Sequence, residues 1–458
     1  MGREEGGVPA RSAGAPRPSR DRSLASSVIN LYRLAIDGAP GKAAVSPVRA
    51  RGSMETADGK GSQMSETPAN DFDPESILAA ARERSGLDDF GDDSFREPMV
   101  RLLEALDGEA RLNEIGRGMQ RERIINILIT RARIEDYYRR HPEIDDERIG
   151  APIVICGLPR TGTTMLHRVM AEDPDFDAAL WYEVRFPAPF DGWKPGEPDA
   201  RIPAAEEEVR MTTEGAPELM AIHPFAATAP DEEIMLLEQS FQSRVPESYC
   251  DIPTFSDWLD AQDQQPGYDY LLRSLKFLQW QHRQEGRERP RWVLKAPHHL
   301  DHMRRLFTIL PDARVIQTHR DPVESVPSIC SMCYHLERLG SDDPDPRVTG
   351  RRWSMRWARS LRRCLEYRNE GHDGRFIDIW YLDSVRDPVG TVGRIYEELG
   401  RELSPIAADK MNRWTEENAR EKRASHAYSL EQFGLTEEGL AEEFSDYRAR
   451  YILGRDPE

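Results

Sequence analysis

The sequence predicts an α/β fold: a P-loop-like parallel β-sheet flanked by helices, with an N-terminal helical region and a helical insertion. Three observations predict it. A β-branched run at residues 153–156 passes through a turn rich in Gly and Pro into a helix that begins at Thr164. Three later apolar runs, at residues 292–295, 314–318 and 376–379, are each followed by a helical pattern. Alternation of this kind marks a parallel sheet covered on both faces. A long, mostly helical stretch separates the first of these strands from the second, which is more chain than a plain connection needs.

Taken in order, residues 1–63 are rich in Gly, Ala, Pro, Ser and Arg. Such a composition cannot bury enough apolar surface to fold alone. They are expected to be a disordered or non-native leader, with Met54 and Met64 as alternative starts. Residues 64–145 form the expected helical region. Asp73 and Pro74 cap and open a helix carrying Ile77, Leu78 and Ala81. A second helix is expected over 97–106, and a longer one over 109–140, whose apolar residues follow a 3.6-residue period.

Residues 146–458 form the expected α/β domain, with the insertion at about 184–290. A rim over 173–189 delivers Trp181, Tyr182 and Glu183. Helices are expected over 204–221, 231–242, 254–261 and 268–283, building a lid or substrate wall. Beyond the second strand, helices are expected over 298–310, 321–336 and 388–399. The tail from Ser404 to Tyr451 reads as helical and polar, with Phe433, Leu435, Leu440, Phe444 and Tyr447 as anchors.

Bulk properties narrow the function. The 458 residues carry a formal net charge of −19, against the basic footprint of a nucleic-acid binder. No apolar run reaches 18 residues, so no transmembrane helix is expected. Five scattered cysteines do not form a disulfide framework, and the cytoplasm is the expected compartment. Cys330 and Cys333 have C-x2-C spacing without a second pair, which is a helix packing pattern as well as a metal one.

The chemistry concentrates at the C-terminal ends of the strands, where parallel α/β sheets place ligands. Gly157 and Gly162 have the spacing of a Walker A loop, but Thr163 and Thr164 follow where Lys and Ser/Thr would stand. Loop N–H groups and the first helical turn still make an anion cradle, and Arg160 is the cation within the loop. Lys295 ends the second strand, with His298 and His299 close behind. Arg320 opens the helix after the third strand, with Ser325 and Ser328 one and two turns in. Arg and hydroxyls there can hold a second phosphate away from the first loop. A nucleotide phosphorylated at both its 5′ and 3′ positions needs two such sites. Tyr381 follows the fourth strand.

These segments resemble the sulfotransferase superfamily, whose donor is 3′-phosphoadenosine 5′-phosphosulfate (PAPS). GLPRTGTT, residues 157–164, is similar to its 5′-phosphosulfate loop. RVIQTHRDPVESVPSI, residues 314–329, is similar to its 3′-phosphate segment, with Arg320 and Ser328 at the family spacing. The loop arginine is the variant seen in tyrosylprotein and many bacterial sulfotransferases. The resemblance covers about residues 150–450 and implies nucleotide contacts from Gly157, Pro159, Arg160, Thr161, Gly162, Thr163, Thr164, Arg320, Ser328 and Tyr381. It implies Glu183 as the base and Lys295 as an aid to transfer, with His298 as a competing base. PAPS would be the co-substrate, adenosine 3′,5′-bisphosphate the product, and no metal is expected.

The acceptor could be a small molecule, carbohydrate, lipid or peptide, and the oligomeric state is open. Two rival readings remain at this point. One is an ATP or GTP phosphotransferase, which calls for a lysine at position 163. The other is an inactive nucleotide-binding module, against which Arg160, Glu183, Lys295 and Arg320 weigh.

Overall fold

The computed structural model describes residues 71–215, 225–289, 291–418 and 428–455. The expected leader at 1–63 and the last part of the helix expected over 204–221 lie outside them. Five strands run parallel in the order β2-β3-β1-β4-β5: β1 Ile153–Gly157, β2 Phe176–Asp177, β3 Arg291–Lys295, β4 Arg314–His319 and β5 Phe376–Trp380. The sheet is parallel because a helical connection follows each strand, and β1 is fully buried along its length, as a sheet covered on both faces requires.

Register brings the chemistry to one edge. Gly157 pairs with Thr318, Ile155 with Lys295, and His319 with Trp380. The C-terminal ends of β1, β3, β4 and β5 therefore lie side by side, and the segments that follow them converge.

Two apolar layers sandwich the sheet. Val154, Leu294 and Val315 point to one and pack on Trp353, Trp357 and Leu361 of the helix Pro346–Tyr367. Ile153, Ile155, Val293 and Ile316 point to the other, toward Leu166, Ile395 and Tyr396. Alternate residues face opposite sides because the strand period is two. A third core joins the N-terminal helices Pro74–Ser85, Arg96–Gly108 and Glu114–Arg140 to Phe186, Phe190, Phe255 and Leu259 of the inserted segment.

Several expectations are corrected. The stretch over 231–242 is a 3-10 helix, Glu233–Ser240, not an α-helix. The helix expected over 298–310 is two: a 3-10 turn Pro297–Asp301 and the α-helix Met303–Ile309, broken at His302 with φ −134°. Strand β2 and the long helix Pro346–Tyr367 were not expected. Seven Arg along the latter hide its seam: only at Trp353, Trp357, Leu361, Cys364 and Leu365 does an apolar stripe appear. Anchors Phe433, Leu440, Phe444 and Tyr447 are buried as expected.

Candidate active site

The loop after β1 is shaped by tight approach. A Cβ on Gly157 would sit 2.2 Å from Thr318 Oγ1 and 2.7 Å from its carbonyl oxygen. Only hydrogen fits there. Arg160 and Gly162 both take positive φ, 71° and 86°, which turns the chain back so that the helix Thr163–Ala171 starts against the loop. The Thr161 hydroxyl donates to the Leu158 carbonyl at 2.6 Å and shares a 2.6 Å bond with the Thr318 hydroxyl. Thr161 thus braces the loop from beneath.

Arg320 joins the loop to the end of β4. Its Nη1 donates to the Arg160 carbonyl at 3.0 Å, its Nη2 lies 2.9 Å from Glu324, and its guanidinium stands 4.4 Å from the Tyr381 ring centre. Tyr381 also backs Gly162, whose added Cβ would lie 3.2 Å from its ring. Ser325 and Ser328 are buried, three residues apart on one face of the helix Pro322–Gly340.

Lys295 is fully buried at the end of β3. Its Nζ donates to Glu232 Oε1 at 2.6 Å and to Thr164 Oγ1 at 3.4 Å. The next residue of the pair, Glu233, accepts the Lys295 backbone N–H at 2.8 Å and bonds His299 Nε2 at 2.9 Å, while His299 Nδ1 meets the Tyr268 hydroxyl at 2.8 Å. Burial opposes charge on Glu233, yet His299 holds its carboxyl below the usual range.

A cavity of about 200 Å³ opens beside the loop. Pro159, Arg160, Thr163, Thr164, Glu232 and His298 line its polar side. Trp181, Met235, Ile329, Met332, Leu336 and Trp357 line its apolar side. The sulfotransferase family profile matches residues 152–405, the span that holds the loop, Lys295, Arg320 and Tyr381. The chain belongs to the sulfotransferase family.

Relatives agree with that placement. The omega-hydroxy-beta-dihydromenaquinone-9 sulfotransferase Stf3 of Mycobacterium bovis is 24% identical over 305 residues, 65% of this chain and 74% of its own. The crystal structure of sulfotransferase STF1 from Mycobacterium tuberculosis H37Rv is similar at a TM-score of 0.71 and 31% identity, over 81% of this chain and 98% of that one. That of STF9 from Mycobacterium avium has a TM-score of 0.74 at 26% identity, over 84% and 98%.

In this sulfotransferase Glu183, expected as the base, is not among the residues that line the cavity. Its carboxylate is buried and meets four donors: the Leu180 N–H at 2.8 Å, the Tyr182 hydroxyl at 3.1 Å, His282 Nε2 at 2.9 Å and Arg287 Nη2 at 3.1 Å. Burial opposes its charge, but His282 and Arg287 override burial and hold the carboxyl far below its ordinary range. His282 faces Asp177 with Nδ1 and Glu183 with Nε2. Burial lowers its pKa, but the two carboxylates on one ring outweigh burial and raise it. Glu183 is one corner of an ion cluster that ties the rim to β2 and to the helix Gln265–Gln284.

His298 does line the cavity, and its Nε2 is buried with no hydrogen-bond partner among the described residues. Burial, with His302 and Arg244 nearby, holds it well below the usual histidine range, so it is neutral. His167 packs inside the first helix, its Nε2 3.2 Å from the Val293 carbonyl, and burial lowers it to about 4. His319 is bound by the Tyr447 hydroxyl at 2.9 Å and Asp378 at 2.8 Å and clamps the C-terminal helix to the sheet. The five cysteines are buried free thiols, and burial pushes Cys330 up to about 12.

Glu232, which lines the cavity and meets Lys295, was not among the expected site residues. The signal was there: adjacent carboxylates, PDEE, directly before an apolar run. It falls at the start of the helix expected over 231–242.

Proposed function

We propose that this sulfotransferase moves a sulfuryl group from PAPS to a hydroxyl of an apolar acceptor bound in the cavity beside the loop. One observation carries the reading. The loop, Lys295 and Arg320, three cationic or N–H-rich elements from three strands, converge without a carboxylate placed on the loop itself.

The residues fit the nucleotide. The loop N–H groups, with Arg160, Thr163 and Thr164, would hold the 5′-phosphosulfate. Arg320 and Ser328 would hold the 3′-phosphate, and Tyr381 would flank the adenine side. The bound nucleotide supplies the sulfuryl group. Arg160 and Lys295 stabilise the charge that grows on the bridging oxygen, which a fixed donor set does without reorganising.

The acceptor class follows from the lining. Trp181, Met235, Met332, Leu336 and Trp357 suit an apolar body, with its hydroxyl at the Thr164 and Glu232 end. The relative Stf3, named for a menaquinone alcohol, supports a lipid-like alcohol over a carbohydrate or a peptide.

Binding of adenosine 3′,5′-bisphosphate, ATP and AMP, followed by thermal shift, tests the donor. A ligand that binds only the folded state raises the melting point. The bisphosphate is expected to give the largest rise. A larger rise with ATP would return the phosphotransferase reading.

A further inference from the structure

We infer that Glu232, not Glu183, takes the proton from the acceptor hydroxyl, an assignment that rests on the sulfuryl-transfer reading above.

Position is the first argument. Glu232 lines the cavity, and Lys295 Nζ bridges it to Thr164 of the first helical turn, at 2.6 and 3.4 Å. Its carboxylate is therefore one side chain away from the loop that holds the reacting group. Its side chain keeps 22% exposure, whereas Glu183 keeps 2%.

Availability is the second. Among the described residues, Lys295 gives Glu232 its one side-chain hydrogen bond, on Oε1. The other carboxylates of the cavity are committed. Asp231 caps the Glu232 N–H at 2.8 Å and faces Arg168 at 3.7 Å. Asp301 lies 3.0 Å from Arg363 and 3.5 Å from both Arg244 and Arg359.

Rigidity is the third. The backbone at Glu232 is fixed on one side by the Asp231 cap and on the other by Glu233, which is bound to the Lys295 N–H and to His299. A base held this way needs little reorganisation to meet a proton.

The step balances. The acceptor oxygen forms its bond to sulfur as its proton passes to a Glu232 oxygen. The bond from sulfur to the phosphate oxygen breaks, and its electron pair stays on that phosphate oxygen beside Lys295. Glu232 then returns the proton to solvent.

The test compares Glu232→Gln, Glu232→Ala, Glu183→Gln and His298→Asn in the full chain, with PAPS and the isoprenoid alcohol farnesol. Glu232→Gln is expected to lose about 10²- to 10⁴-fold in kcat and the acid limb of its pH profile, while adenosine 3′,5′-bisphosphate still raises its melting point. Added formate is expected to restore part of the turnover of Glu232→Ala. Glu183→Gln is expected to lower the melting point more than kcat. Turnover of Glu232→Gln within threefold of the unaltered chain, or an unchanged acid limb, overturns the assignment. So does loss of the acid limb in Glu183→Gln or His298→Asn instead. If the unaltered chain shows neither transfer nor a melting shift with the bisphosphate, the sulfuryl-transfer reading itself falls, and the assignment with it.

Discussion

Arg320 donates from Nη1 to the backbone carbonyl of Arg160 at 3.0 Å. The side chain that opens the helix after β4 thereby fixes the loop after β1, so the two anion sites of the proposed nucleotide are parts of one object. Arg320→Lys is expected to weaken adenosine 3′,5′-bisphosphate by about 10- to 100-fold, the worth of one or two hydrogen bonds to a charged group. AMP, without the 3′-phosphate, is expected to lose less. Calorimetric titration of both ligands checks this, and equal losses would detach Arg320 from the ribose phosphate.

Gly157→Ala is expected to destabilise the fold rather than tune the site. Its Cβ would meet Thr318 at 2.2 and 2.7 Å, and the carbonyl among those atoms belongs to β4 and cannot yield. Overpacking of this kind costs about 1–3 kcal/mol. Thermal unfolding is expected to show a melting point lower by several degrees.

The Glu183 and His282 pair predicts opposite pH limbs of stability. Glu183 has a folded pKa below its unfolded value of about 4.3. Its contribution is present above that pH and is lost as pH falls toward the folded value. His282 has a folded pKa raised above about 6.5. Its contribution is present below 6.5 and is lost as pH rises through the raised value. His282→Ala leaves the buried carboxylates of Asp177 and Glu183 to Arg287 alone and is expected to cost up to about 3–5 kcal/mol. Melting points across acid and alkaline buffers should show the alkaline limb flattened in that variant.

Leu336→Trp is expected to fill the apolar side of the cavity. The kcat/KM for a long-chain alcohol should fall about 5- to 150-fold, the equivalent of an overpacking cost of about 1–3 kcal/mol. The affinity for adenosine 3′,5′-bisphosphate should not change. A parallel loss of nucleotide binding would place the acceptor elsewhere.

The strands and the phosphate loop were legible because their signals are local. A β-branched run before Gly157, the glycine spacing and the Arg320–Ser328 spacing each lie within a few residues, so periodicity and steric rules suffice to read them. The Asp73 cap was legible for the same reason, and its side chain does accept from the Ser76 N–H at 2.7 Å.

What the chain order alone determined is the parallel sheet, its loop and the cations at its edge. Which cation each carboxylate meets depended on packing. Glu183 follows soon after the loop and Glu232 much later, one before the insertion and one within it. His282 and Arg287, about a hundred residues further on, claim Glu183, and β3 brings Lys295 to Glu232. A buried carboxylate goes to whichever cation the fold delivers, and that delivery is set by contacts between residues far apart in the chain.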